Sequence, residues 1–391
     1  MADAENILHD TLDVVLDDTG FKPREITVKA IATGGANFTS TLFVVNVSSP
    51  GEEDLKLFGK VACVGEAMRV RMHADWLYKT EKLFYTRLVK VFEDIQEKRN
   101  IPVEHRFVFP KFYGCNDNYG KETVIMEDLA AAGFEPFDRL KSVDLDYAKV
   151  AVENLAKFHA LSFAFKKYRP EEFGTLTSDR KYEIGKFGDE HKKSMTAVYL
   201  KKAENAVGLV KEEYRERARD FALTHNLWET FFEPVGNPVI AHGDYRMSNL
   251  LFRTQDDTLQ SIAVDYQTVH AGCPAGDLIY FIFLGSDEEF RRQHYEKLVD
   301  HYFISLEQAL ERLGVDLSVY TREKFDSDMK ELLPYAVLLG VMVLPVVTVQ
   351  AEAAPRVDGD ADFSSFVMKP NELYAQRFSG IVNDCIRWGA I

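Results

Sequence analysis

"HGDYRMSNLLF", residues 242–252, sets a His, an Asp, an Arg and an Asn into eleven residues between two apolar runs. A plain turn needs Gly and a single Asx residue. Here Asp244 and Asn249 stand five positions apart with Arg246 between them, and sixteen residues beyond Asn249 the run "IAVDYQ" places Asp265 at the end of an apolar β pattern. A loop offering a carboxylate and an amide, beside a strand end offering a second carboxylate, suits a hard cation and phosphate. Mg²⁺ takes oxygen ligands, usually one or two protein carboxylates plus phosphate oxygens. Asn249 and Asp265 supply such ligands, which leaves Asp244 free to accept a hydroxyl proton.

A loop Asp, an Asn five residues on and a metal-binding Asp downstream are the order of the protein-kinase fold,. The upstream chain supplies the other half. Residues 25–47, "EITVKAIATGGANFTSTLFVVNV", alternate apolar and polar side chains on both sides of Gly34-Gly35, a hairpin pattern,. The glycines let backbone approach phosphate, and Asn37, Thr39 and Ser40 can donate hydrogen bonds to it,. "LKLFGKVACV" reads as a further strand carrying Lys60, and residues 75–98 then switch to the period of an amphipathic helix carrying Glu81,. A kinase needs a strand lysine on the phosphates and a helix glutamate to hold it, and Lys60 and Glu81 stand in that order,. "KFYGCNDNYGKETVIMEDL" reads as two strands around a turn. Its "VIMEDL" has the position of the hinge at which adenine would meet main-chain groups of Glu127 and Leu129.

Beyond "AAAGFEP" the pattern becomes mostly helical. The expected fold is α+β and bilobal, protein-kinase-like: a small β-rich nucleotide-binding lobe with its hinge over residues 1–132, and a larger, mainly helical catalytic and substrate-binding lobe over residues 133–391. Only 11 residues separate Asp265 from Asp277, and no APE-like element follows, so there is no room for an activation loop and peptide platform,. The acceptor is therefore expected to be a small molecule.

Bulk properties agree. A chain of 391 residues, 46% hydrophobic and 28% charged, is that of a globular protein with two lobes or domains,. A formal charge of -15 disfavours a broad grip on nucleic acid,. Cys63, Cys115, Cys273 and Cys385 are scattered without metal-ligand spacing, which reads as buried thiols in a reducing cytoplasm,. The start of the chain is acidic and lacks the character of a signal peptide,. Residues 332–349 carry no charge over 18 residues, but Pro334 and Pro345 interrupt them, so a buried helix pair is expected rather than membrane insertion,. Nothing points to an obligate protein partner.

With these residues in hand, the chain resembles the ecdysteroid kinase-like family, grouped with choline kinase-like and aminoglycoside phosphotransferase proteins. The resemblance is carried by "GGANFTS", "LFGKVA", "EKLFY", "VIMEDLAAAGF", "LAKFHALSF", "HGDYRMSNLLF" and "VDYQTVHAGCPAGDLIYF", in family order over residues 34–283. It implies ATP with Mg²⁺, phosphorylation of a hydroxyl, Lys60 and Glu81 as the phosphate-holding pair, Asp244 as base, Asn249 and Asp265 as metal ligands, and Asp277 as a brace on the catalytic loop. Arg246 occupies a place where many protein kinases hold a Lys near the transferring phosphate; the alternative is an ion pair that braces the loop. An ecdysteroid or other polyhydroxylated lipophile is the leading acceptor. A choline-, aminoglycoside- or xenobiotic-type acceptor is the second enzyme reading, and a ligand-binding pseudokinase the reading of another class. Phe163, Phe165, Phe173, Tyr199, Trp228, Phe231 and Phe232 either line an apolar pocket or fill the core. His159 is expected to be a hydrogen-bonded structural residue, and His270 and Cys273 loop residues without assigned chemistry.

Overall fold

Five strands build one antiparallel sheet in the order β1-β2-β3-β5-β4: Glu25–Ile31, Ser40–Ser48, Leu55–Ala62, Thr123–Glu127 and Phe112–Asn116. The computed structural model describes residues 2–19, 22, 24–31, 39–179, 189–224, 238–350, 353 and 367–391. Gly34, Gly35 and Asn37 of the hairpin turn, with Trp228, Phe231 and Phe232, lie outside them. In the central strand β3, successive side chains point to opposite faces. Leu57 and Val61 are buried on one face under α1 (Ala2–Thr19), which contributes Leu8, Leu12, Val15 and Leu16 to that cluster. A Cβ at Gly59 would stand 2.6 Å from Leu8 Cδ1, so a side chain there would displace the helix. Lys60 projects from the same strand, in register with Leu42 on one side and Val124 on the other.

After α2 (Glu66–Met72), the expected long helix forms as α3 (Ala74–Leu83) and α4 (Val89–Lys98), joined by a π-helical segment at Phe84–Leu88. The wider turn carries Phe84, whose ring stacks on Tyr266 at 3.7 Å between centroids. The helix that bears Glu81 is thus packed against the residue that follows Asp265. Tyr78 adds a second tie: its hydroxyl donates to the Thr39 carbonyl at 2.7 Å, at the foot of β2.

The remaining chain is mainly helical: α5 (Leu145–Tyr168), α6 (Pro170–Asp179), α7 (Asp189–Val207), α8 (Glu212–Thr224), α9 (Pro274–Gly285), α10 (Glu288–Arg312), α11 (Arg322–Leu332), α12 (Tyr335–Met342), α13 (Leu344–Val347) and α14 (Glu372–Arg387). Apolar residues surround α9 on all sides, so this helix is buried in the centre of the bundle,. The uncharged run 332–349 folds into α12 and α13, and among the described residues no helix is long and apolar enough to cross a membrane. Phe163, Phe165, Phe173 and Tyr199 are all core residues.

Two small sheets lie within this helical part: β6 (Glu135–Pro136) with β8 (Leu250–Gln255) and β9 (Thr258–Ala263), and β7 (Val239–Ala241) with β10 (His270–Gly272). His270 is therefore a strand residue rather than a loop residue, and Cys273 caps the start of α9. The expectation of four buried thiols holds for Cys273 and Cys385 only; Cys63 and Cys115 are partly exposed, and all four are free.

Candidate active site

The short strand β7 delivers His242-Gly243-Asp244 to the end of β10. Gly243 has φ +80°, and a Cβ on it would stand 2.5 Å from the Thr268 carbonyl oxygen, so both backbone and space demand glycine,. The two N–H groups of His242 and Gly243 donate to the carboxylate of Asp277, at 2.7 and 2.9 Å. Asp277 lies in the first turn of α9, where a carboxylate complements the helix dipole,. His159 Nε2 lies 3.1 Å from the same carboxylate, and its Nδ1 lies 2.6 Å from the Tyr302 hydroxyl. Burial works against the charge of Asp277, yet the His159 hydrogen bond, the His242 ring and the Gly243 N–H hold its pKa below the usual carboxylate value. His159 is thus a hydrogen-bonded structural residue, and Asp277 grips the loop from behind.

The Asp244 side chain is not left open as the sequence reading expects. Its Oδ1 accepts from Arg246 Nε at 2.8 Å and from the Tyr280 hydroxyl at 2.6 Å, and its Oδ2 accepts from Asn249 Nδ2 at 2.8 Å. A short 3₁₀ turn, Met247–Asn249, brings Asn249 back under the loop. Arg246 also donates through Nη1 to Ser248 Oγ at 2.6 Å. Burial disfavours the Arg246 charge, but Asp244 holds its pKa above the ordinary value. Arg246 forms an ion pair with Asp244 within the loop.

Asn249 Nδ2 also donates to the Asp244 carbonyl at 2.9 Å, so both amide hydrogens are spent and Oδ1 is the atom available to a cation,. The Asn249 carbonyl in turn accepts from Val264 N–H at 3.0 Å, which fixes the strand end carrying Asp265. Asp265 itself sits in the left-handed region at φ 68°, a conformation Asp tolerates better than most residues,. Lys60 Nζ reaches it at 2.6 Å and reaches Glu81 at 3.0 and 3.2 Å. Residues 60, 81 and 265, from a strand, a helix and a strand end, therefore meet at one ammonium. Burial opposes the Lys60 charge, but Asp265 and Glu81 raise its pKa above the usual lysine value. Burial likewise pushes Asp265 up, and Lys60 outweighs it and holds the carboxylate below its ordinary value. For Glu81 burial wins, and its pKa is raised.

A magnesium ion fits these donors. The Asn249 main-chain carbonyl is tied to the strand end that carries Asp265 by Val264 N–H, and two carboxylates share one lysine, so the cluster carries spare negative charge. Amide and carboxylate oxygens are the donor types that Mg²⁺ takes from protein.

The expected hinge, after β5, is firmly held. Glu127 N–H donates to Lys111 C=O at 2.9 Å, Asp128 N–H to Lys56 C=O at 3.1 Å, and the Leu129 carbonyl accepts from Ala132 and Phe134 N–H at 3.1 and 3.0 Å. Ser40, the first residue of β2, is buried beside Thr39 at the foot of the hairpin.

Over residues 34–315 the sequence matches the ecdysteroid kinase-like family. The chain belongs to that family. Two solved structures are similar to it: an aminoglycoside-3'-phosphotransferase of type VIII, at 15% identity over 81% of this chain and 96% of that chain, TM-score 0.37, and a microcompartment-associated aminopropanol kinase, at 12% identity over 96% of this chain and 97% of that chain, TM-score 0.41. No curated protein matches. This ecdysteroid kinase-like protein has the kinase-like arrangement of a β-sheet region followed by a larger helical region, and the family is one of small-molecule phosphotransferases.

The sequence reading of this family member misses three residues that shape the site. Ser248 anchors Arg246, Tyr266 packs against the Glu81 helix, and Tyr280 binds Asp244. Only Tyr280 leaves a signal in the sequence: it follows Asp277 by three positions, so both face the same side of one helix,.

Proposed function

We propose that this protein transfers the γ-phosphoryl group of MgATP to a hydroxyl of a small molecule, and that the leading acceptor is an ecdysteroid or a related polyhydroxylated lipophile. The observation that carries the reading is the convergence of Lys60, Glu81 and Asp265 beside a loop in which Asn249 joins Asp244 to the Asp265 strand. In this reading residues 1–132 form the nucleotide-binding lobe and residues 133–391 the catalytic and acceptor lobe.

Lys60, held by Glu81, binds the donor's phosphates. Ser40 is assigned to the phosphates, with Gly34, Gly35 and Asn37 assigned there by the sequence alone, and main-chain groups of Glu127 and Leu129 are assigned to adenine. Asn249 Oδ1 and the Asp265 carboxylate would hold Mg²⁺, which would neutralise phosphate charge when bound. The acceptor oxygen attacks the γ-phosphorus in line, the bond from that phosphorus to the β,γ-bridging oxygen breaks, and ADP leaves. Asp244 takes the acceptor's hydroxyl proton. Such a positioned base contributes roughly 10²–10⁴-fold in rate, and the rest comes from alignment and charge. Arg246 keeps Asp244 in place through their ion pair.

The lipophilic acceptor follows from the family, since the four described aromatics once available for a pocket are core residues. Free, scattered thiols suit a cytoplasmic setting,. The test is mass spectrometry of purified protein with MgATP and a panel of ecdysteroids, choline, aminoglycosides and phenolic glycosides, with Asp244→Asn as blank. An ecdysteroid gaining one phosphate in the wild type alone supports the full reading. Phosphate on another member replaces the acceptor, and no phosphorylated product from any member contradicts phosphotransfer.

A further inference from the structure

Asp277 and Tyr280 lie one turn apart on α9 and bind successive parts of the same loop. Asp277 accepts the His242 and Gly243 N–H groups, while the Tyr280 hydroxyl donates to Asp244 Oδ1 at 2.6 Å. Tyr280 is 6% exposed, and its ring belongs to the central core cluster. The hydroxyl therefore has a fixed origin and a single direction. A buried phenol needs a partner, and this one has a carboxylate, the stronger kind of acceptor.

Counting lone pairs shows what the contact does. An ionised carboxylate offers about four acceptor sites, two on each oxygen. On Asp244, Oδ1 receives both Arg246 Nε and Tyr280 Oη, and Oδ2 receives Asn249 Nδ2. Both sites on Oδ1 are filled, and one on Oδ2 remains. That oxygen is the one tied to Asn249, whose Oδ1 is assigned to the metal. Arg246 reaches Asp244 from two residues along the same loop and moves with it, whereas Tyr280 reaches it from the rigid centre of the bundle.

Resting on the phosphotransfer reading above, we propose that Tyr280 is a positioning residue for that reaction: its hydroxyl occupies the second site on Asp244 Oδ1, locks rotation of the carboxylate, and leaves Oδ2 as the one oxygen that receives the acceptor's proton. Tyr280 acts through Asp244 alone. Its hydroxyl is hydrogen-bonded to Asp244, so its loss is expected to lower turnover and to leave MgATP binding as it was.

The probe is MgATP with water as the acceptor, read as phosphate release, for wild type, Tyr280→Phe, Asp244→Ala and the double variant. Titration calorimetry with a non-hydrolysable MgATP analogue reports folding and nucleotide affinity independently of turnover. Tyr280→Phe is expected to lower kcat about tenfold, the order of one hydrogen bond to a charged group, with KM for MgATP and analogue affinity changed less than about twofold. In the Asp244→Ala background the same substitution is expected to change the residual rate by less than about twofold, because the group it acts through is gone. An equal loss in both backgrounds, an unchanged kcat in the single variant, or a loss matched by weakened nucleotide binding would each overturn the proposal. Failure of the wild type both to release phosphate and to phosphorylate any member of the acceptor panel, while it binds the analogue, would instead overturn the phosphotransfer reading itself, and the role of Tyr280 with it.

Discussion

Asp244 and Asp265 are both mostly buried, with side chains 15% and 21% exposed, yet they are held in opposite ways. Asp244 is one carboxylate shared by three donors, of which only Arg246 carries charge. Asp265 is one of two carboxylates that share a single ammonium, Lys60. The first cluster is neutral in sum and has one lone-pair site unspent, which suits receipt of a proton. The second has excess negative charge and draws its members from separate elements, which suits a cation and the phosphates that come with it. The same side-chain chemistry thus suits the two tasks proposed for it because the surrounding charge count differs.

Removing the proton acceptor has the largest expected effect. Asp244→Asn keeps the hydrogen-bonding shape but not the basicity, so kcat is expected to fall by roughly 10²–10⁴-fold while MgATP affinity stays near that of the wild type. Steady-state kinetics beside calorimetry check both halves, and near-normal turnover would remove Asp244 from its role.

Breaking the other cluster should appear first in stability. Lys60→Met leaves Glu81, which is wholly buried, and Asp265 without their cation. Stranding a buried charge costs about 3–5 kcal/mol, so denaturant unfolding should show a loss of that order. Adding Glu81→Leu should recover much of the stability and none of the activity. If the single variant were as stable as the wild type, the shared-ammonium description would fail.

How far the sequence alone reaches differs between the clusters for the same physical reason. Lys60, Glu81, Asp244, Asn249 and Asp265 are legible because each sits at a fixed offset from a strand, helix or turn pattern. The strands β1 to β5 and the helix pair α12–α13 are legible from periodicity and proline, whereas the order of the strands in the sheet is not. The α1 cover on the sheet is not, since its short amphipathic pattern gives no sign of what it packs on. Of the three donors on Asp244, the Arg246 ion pair is one of the two readings the sequence offers, the Asn249 bond arrives from loop curvature, and Tyr280, 36 residues away inside an apolar run, shows only its offset from Asp277. β6, β7 and β10, of two or three residues each, are too short to show alternation.

Two smaller tests sharpen the account of the loop that separates the clusters. Gly243→Ala forces a side chain against the Thr268 carbonyl at a positive φ. It is expected to cost roughly 1–3 kcal/mol and to reduce turnover, measured by thermal melting and phosphate release. His159→Gln removes one support of Asp277. The pKa of Asp277 is lowered in the folded protein, so its contribution is complete above the unfolded carboxylate value near pH ~4 and is lost as pH falls through the folded value,. The variant should therefore be less stable than wild type at neutral pH, by about 1 kcal/mol, and the gap should narrow below pH ~4. A gap that widens in acid would reverse the assigned sign.

The division of labour between the two carboxylates is tested most directly by Mg²⁺-dependent nucleotide binding in Asp265→Asn and Asp244→Asn side by side. Calorimetry with a non-hydrolysable ATP analogue, with and without Mg²⁺, is the measurement. Asp265→Asn is expected to lose the gain in affinity that Mg²⁺ gives the wild type, while Asp244→Asn keeps it. A full Mg²⁺ gain in Asp265→Asn, or its loss in Asp244→Asn, would contradict the account.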